Sequence, residues 1–158
     1  MPTNAETAFA SYEAAKGTTE GTGEWFEITQ EMVNQFAEIT HDHQFIHVDP
    51  EAAKATPFGG TIAHGFLTLS MLTHLCASIP QDTSRFAGIL MGVNYGFDKV
   101  RFVSPVKVGS RIRATSVLSG VELKDPNNLQ TTKTITVEIE GADRPACVAA
   151  WITRLTYG

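Results

Sequence analysis

From Ala55 to Gln81 the chain carries no Asp, Glu, Lys or Arg: ATPFGGTIAHGFLTLSMLTHLCASIPQ. A segment this long without charge has two physical homes, a lipid bilayer or the interior of its own protein. Pro57, Gly59, Gly60, His64, Gly65, His74 and Pro80 interrupt it, so no apolar run approaches the ~18 residues of a spanning helix. The segment therefore belongs in a core. Its second half predicts a helix over 63–79, with Phe66, Leu67, Leu69, Met71, Leu72, Leu75, Cys76 and Ile79 against only Thr68, Ser70, Thr73, His74 and Ser78. A helix apolar on nearly every side must be wrapped by other elements.

The wrapping material lies in the second half of the chain. LMGVNYGF, KVRFVSPVKV, SRIRATSVLSGVEL, TTKTITVEIE and ACVAAWITRLTY are rich in β-branched residues, and SPVKVGS, DPNNL and GADRP carry turn signals between them. In TTKTITVEIE, Ile135, Val137 and Ile139 alternate with Thr134, Thr136 and Glu138, the period of a sheet with one covered and one wet face. Upstream, residues 5–16 read as a helix ending at Gly17, GTTEGTG as a flexible link and EWFEI as a short strand. ITQEMVNQFAEIT reads as an amphipathic helix capped by Thr29, with Met32, Val33, Phe36 and Ala37 on one face. The expected class is α+β: a single hot-dog domain, an antiparallel sheet curled round a long central apolar helix. Residues 1–24 are expected as a helical and flexible extension and 25–158 as the domain itself.

A chain of 158 residues fits one domain, and 42% apolar with 18% charged residues is the composition of an ordinary globular protein. The net charge of −5 argues against nucleic acid as a partner, because phosphate recognition needs concentrated basic surface. Cys76 and Cys147 stand far apart without metal-ligand spacing and read as reduced core residues. MPTNAETAFASYEAAKG lacks the basic start and continuous apolar run of a signal peptide, so the expected location is cytoplasmic.

Chemistry concentrates in THDHQFIHVDP, Thr40 to Pro50, with three histidines and two aspartates. Asp49-Pro50-Glu51 has the form of a helix start, with Asp as cap and Pro in the first turn. His41, His43 and His47 resemble the first half of a cupin metal motif, but an Asp lies between the first two and no second half follows. A histidine near its ordinary pKa of ~6.5 suits proton transfer, and a carboxylate five residues away can orient the ring or a water. At the start of the uncharged helix, first-turn N–H groups have no intrahelical partner, and glycine permits close approach. His41, His43 and His74 are left outside the chemistry.

FAEITHDHQFIHVDPEAAKATPFGGTIAHGFLTLSML resembles the signature of the MaoC-like dehydratases, the family of (R)-specific enoyl-CoA hydratases. GVNYGFDKVRFVSPVKVGSRIRATS resembles its nodulation-protein-N-like branch, in which DHQ replaces D-x-N-P. The resemblance implies Asp42 and His47 as the catalytic pair and the Gly65 N–H as oxyanion donor. It implies reversible syn hydration of a trans-2-enoyl thioester of CoA or acyl carrier protein to the (R)-3-hydroxyacyl product, with no cofactor beyond the thioester substrate. Gln44, His64, Asn94 and Tyr95 are candidates for supporting or substrate-binding roles, and Arg101 for the acyl or CoA path. Gln44-Phe45 replaces the commoner Asn-Pro, and His41 replaces a glycine, which puts substrate length and rate in question. A free sheet edge predicts a homodimer with the acyl tunnel near its interface. Two other readings stay open: a hot-dog thioesterase, although the central helix lacks the carboxylate many of them place there, and a catalytically silent acyl-CoA-binding or scaffold domain.

Overall fold

Thr3 opens the first helix with a reciprocal cap: its hydroxyl accepts from the Glu6 N–H (3.2 Å), and the Glu6 carboxylate accepts from the Thr3 N–H (2.8 Å). In this computed structural model, which describes residues 1–158, helix α1 spans Asn4–Ala15 and is followed by strands β1 (Thr19–Thr22) and β2 (Phe26–Glu27). Then come helices α2 (Gln30–Thr40), α3 (Phe45–Val48), α4 (Pro50–Ala53), α5 (Gly65–Ser70) and α6 (Leu72–Ala77). A single 3-10 turn (Thr83–Phe86) leads to four long strands, β3 (Ile89–Phe102), β4 (Arg111–Asp125), β5 (Asn128–Ile139) and β6 (Cys147–Tyr157). The sheet order is β1-β4-β5-β6-β3, with β2 also on β4, and every pairing is antiparallel.

Local chemistry sets several of these boundaries. Thr29 caps α2 by accepting from the Met32 N–H (3.2 Å), and Asp49 caps α4 by accepting from the Ala52 N–H (3.0 Å). The flexible link expected at GTTEGTG is instead the edge strand β1, with Thr19 opposite Val117 and Thr22 opposite Thr115. Its sequence has no strand alternation, so pairing with β4 makes the strand. The helix predicted over 63–79 forms as α5 and α6, which meet at Met71. The Met71 N–H is shared between the Leu67 (3.0 Å) and Thr68 (3.2 Å) carbonyls, tightening the turn before the helix resumes. Residues 61–63 stay out of the helix because they are engaged elsewhere: the Ile62 N–H donates to Ile46 O, and the Ala63 N–H donates to Val106 O.

Two apolar clusters share the inner face of the sheet. Leu67, Leu72 and Leu75 of the central helix pack with Ile112, Ala114, Ile135, Val137 and Ala149. Each buried leucine stabilises by ~1.5–3 kcal/mol relative to exposure. Ala5, Ala8 and Tyr12 of α1 pack with Leu118, Leu129, Leu155 and Tyr157, so the N-terminal residues build a second core. Between the clusters lies a charged seam. Ser116 stands between Ala114 and Leu118 on β4, and Lys133 shares the inward parity of Ile135 and Val137 on β5. The Glu20 carboxylate, with its side chain only 8% exposed, forms an ion pair with Lys133 Nζ (3.0 Å) and accepts from Ser116 Oγ (2.7 Å). Arg85 Nη1 lies 3.7 Å from the same carboxylate, and its guanidinium sits 4.5 Å over the Tyr12 ring. Both cysteines are free, and burial pushes the Cys76 thiol up to about 11.

Candidate active site

His47 is fixed from three sides before any ligand arrives. It lies in the short helix α3, and the Gln30 amide ties α3 to its neighbours by donating to His47 O (2.7 Å) and accepting from the Thr61 hydroxyl (2.6 Å). The His47 ring is buried, and its Nδ1 lies 2.7 Å from Ile62 O. A carbonyl can only accept, so Nδ1 carries the proton and Nε2 is left with a free lone pair. Burial pulls the His47 pKa below its ordinary value of 6.5; the stacked His64 adds to this, while the Ile62 hydrogen bond and the Asp42 carboxylate oppose it.

His64 is the residue that joins the two halves of the cluster. Its ring stacks on His47 with centroids 3.9 Å apart and planes 25° from parallel. Its Nε2 donates to Asp42 O at 3.0 Å, and its buried Nδ1 has no partner. Asp42 itself is half exposed, and Asp42 Oδ1 accepts from the Gln44 N–H at 3.4 Å. One Asp42 carboxylate oxygen and one ring nitrogen each of His47 and His64 lie within 4.8 Å of one another. A single ion does not suit this trio. In a near-parallel stack, an ion in the plane of one imidazole lies well out of the plane of the other. The trio suggested by sequence, His41, His43 and His47, does not converge either. His43 Nε2 bonds the Glu38 carboxylate (2.7 Å), and His41 ends α2 in the left-handed region at φ 62°. That conformation explains why a glycine is at home in this position.

Gly65 begins α5 beside this cluster, and its N–H has no hydrogen-bond partner. Sequence reasoning gave its missing side chain to an approaching thioester, but here Phe102 takes the space. A Cβ at Gly65 would lie 2.9 Å from the Phe102 ring. His47, Gly65 and Phe102 line one cavity of about 300 Å³, with Phe58, Val106 and Thr68 among its other walls.

The remaining candidates fall elsewhere. Asn94 and Tyr95 do not line this cavity. Asn94 Oδ1 accepts from Trp151 Nε1 (3.1 Å) in a separate groove beside Thr73, and the Tyr95 ring lies under Arg154, 3.8 Å away. Arg101 donates to the carbonyl of its own neighbour Val100 (2.8 Å). Gln44 reaches the cluster through its main chain, as the N–H that braces Asp42. Sequence reasoning passed over Phe102 and Thr68. Thr68 carried a signal, a hydroxyl one turn from Gly65 in an apolar helix, but it read as ordinary helix polarity.

Comparison with known proteins bears on the family and the fold. The MaoC like domain matches residues 11–139. A protein of Mycobacterium tuberculosis (strain ATCC 25618 / H37Rv) named 3-hydroxyacyl-thioester dehydratase Z is 52% identical over 145 residues, covering 92% of this chain and 93% of its own. Nodulation protein N of Rhizobium meliloti (strain 1021) is 48% identical over 148 residues, covering 93% and 90%. Among solved structures, the (R)-hydratase from A. caviae involved in PHA biosynthesis superposes with a TM-score of 0.68 at 21% identity, over 86% of this chain and 95% of that one. His47 and Gly65 line one cavity, Asp42 stands beside His47 without lining it, and with the family match running from residue 11 to 139 the chain belongs to the MaoC-like family.

Proposed function

We propose that the protein is an (R)-specific hydratase/dehydratase interconverting trans-2-enoyl and (R)-3-hydroxyacyl thioesters of CoA or acyl carrier protein. Water and the thioester are the substrates, and no further cofactor takes part. One observation carries this reading: His47, a buried imidazole with a free Nε2, and Gly65, with an unpartnered N–H, line the same cavity. A water touching both His47 and Asp42 by ordinary hydrogen bonds of ~2.8 Å bridges groups up to ~5.6 Å apart, and the observed cluster lies inside that reach.

In hydration, His47 Nε2 takes a proton from the water as its oxygen bonds C3. The C2–C3 π electrons move into an enolate whose oxygen is held by the Gly65 N–H. His47 then returns the proton to C2 on the same face, which makes the addition syn. Asp42 holds the water and balances the imidazolium. Dehydration runs the same steps backwards.

The direct test is loss of enoyl-thioester absorbance with crotonyl-CoA and longer substrates, followed by chiral analysis of the product. An (R)-3-hydroxyacyl thioester is expected. Release of free CoA without hydration would instead support the thioesterase reading.

Because His47 must be neutral to accept a proton, the acidic limb of kcat/KM should follow its ionisation. Burial lowers that pKa, so activity should fall only as pH drops below 6.5. An acidic limb centred above 6.5 in a pH–rate profile would contradict the assignment.

The same reading includes a homodimer. Strand β3 is the last strand in the sheet order, and Leu90 (68%), Met91 (55%), Val93 (49%) and Tyr95 (57%) are exposed along it. A long apolar edge left open invites pairing with another strand, and a second copy supplies one by two-fold symmetry. Light scattering should give the mass of a dimer for the wild type. Val93→Asp should weaken association by ~10-fold or more by placing charge in the contact. A monomeric wild type would end this part of the reading.

A further inference from the structure

We infer that Thr68 is a further catalytic residue, its hydroxyl serving as a second hydrogen-bond donor to the thioester carbonyl beside the Gly65 N–H. The inference rests on the hydratase reading above and adds to it a group that sequence reasoning treated as ordinary helix polarity.

Thr68 is 2% exposed to bulk solvent, yet it lines the cavity that also holds His47 and Gly65. A threonine inside a helix ordinarily satisfies its hydroxyl by bonding back to the carbonyl four residues earlier. Here that carbonyl, His64 O, receives the Leu67 N–H (3.0 Å) and the Thr68 N–H (3.3 Å), and the Thr68 hydroxyl, which bonds no protein group, is not sealed off as the unpartnered His64 Nδ1 is but stays open to the cavity. Most of the other walls, among them Phe58, Ile62, Phe102 and Val106, present apolar side chains, with Ser104 the one further hydroxyl. A polar group placed in such surroundings without a partner is costly unless a ligand or a water completes it.

Direction also matters. Helical side chains lean toward the N-terminus of their helix, so the Thr68 side chain, three residues after Gly65, tilts toward the first turn. The carbonyl that the hydratase reading places at the Gly65 N–H is therefore the acceptor closest in chemistry and position. A hydroxyl donor there gains strength as enolate charge develops on the oxygen, which makes its effect one of rate more than of binding.

The test compares Thr68→Val, which keeps the shape and removes the donor, with Thr68→Ser, which keeps the donor and removes the methyl. Both are assayed by hydration of crotonyl-CoA alongside the wild type, with folding checked by circular dichroism melts. Thr68→Val should lower kcat by ~10-fold to 10²-fold with KM within ~3-fold, and Thr68→Ser should stay within ~3-fold of wild type. Should Thr68→Val fail to fold, Thr68→Ala provides the donor-free variant, with the same expected loss in kcat. The inference is overturned by a donor-free variant with wild-type kcat, by a loss confined to KM, or by Thr68→Ser losing as much as Thr68→Val. A wild type that does not hydrate crotonyl-CoA or a longer enoyl-CoA overturns the underlying hydratase reading instead.

Discussion

His47→Gln is expected to lower kcat for enoyl-thioester hydration by at least ~10², the usual range for removing a positioned acid/base. Glutamine can still donate an N–H, so the bond to Ile62 O has a substitute, but its amide has no basic lone pair with which to take a proton from water. The ring stack with His64 is lost as well, so a modest fall in melting temperature should accompany the loss of rate. Asp42→Asn separates the two effects. Asp42 is half exposed, and the asparagine oxygen can still accept from the Gln44 N–H. The fold should therefore be unchanged while kcat again falls by ~10². Absorbance assays and melts on the same preparations check both expectations. Near-wild-type rates in either variant would remove the acid/base mechanism.

The largest effect on stability should come from the charged seam. Glu20→Ala leaves Lys133, and to a lesser degree Arg85, without a counter-charge between two apolar clusters. Breaking a buried pair on one side typically costs ~3–5 kcal/mol, which for a chain of this size corresponds to roughly 10 °C in melting temperature. Arg85 is partly compensated, since Asp82 lies 3.6 Å from its Nε and the Ser11 hydroxyl accepts from the same Nε at 3.0 Å. Lys133 has no second carboxylate. Pairing Glu20→Met with Lys133→Leu should recover most of the loss, because both charges then leave the interior together. Denaturant melts of the single and double variants decide the matter. A change within ~0.5 kcal/mol for Glu20→Ala, the size expected of a neutral surface substitution, would mean that solvent already screens the seam. Neither Glu20 nor Lys133 lines the His47 cavity, so activity per folded molecule should be retained.

What could be read from sequence and what could not divide along physical lines. The caps at Thr29 and Asp49 are local hydrogen bonds between residues three apart, and they form where the sequence puts them. The alternation at Ile135 and Val137 is equally local and marks the inner face. Lys133 has the same parity, and its inward direction was legible in principle. Its partner Glu20 was not, because β1 exists only by pairing with β4. The nearness of Asp42 to His47 and the placing of His47 and Gly65 on one cavity came from a motif. The stacking of His64 on His47 depends on how residues 61–63 are held between Ile46 and Val106, a long-range arrangement that no spacing encodes. The same applies to Phe102, which arrives from the far end of β3 to fill the space above Gly65.

The second cluster has a consequence for the order in which the molecule can form. Helix α1 rests on Leu155 and Tyr157 of β6, and the Asn4 side chain donates to Gly158 O at 2.6 Å. On a ribosome, α1 emerges long before the surface it needs. Until β6 is released, Ala5, Ala8 and Tyr12 have no completed surface to cover, and so short a helix is marginal in water by itself. Docking of α1 is therefore a late step of folding in the cell, dependent on contacts that span nearly the whole sequence.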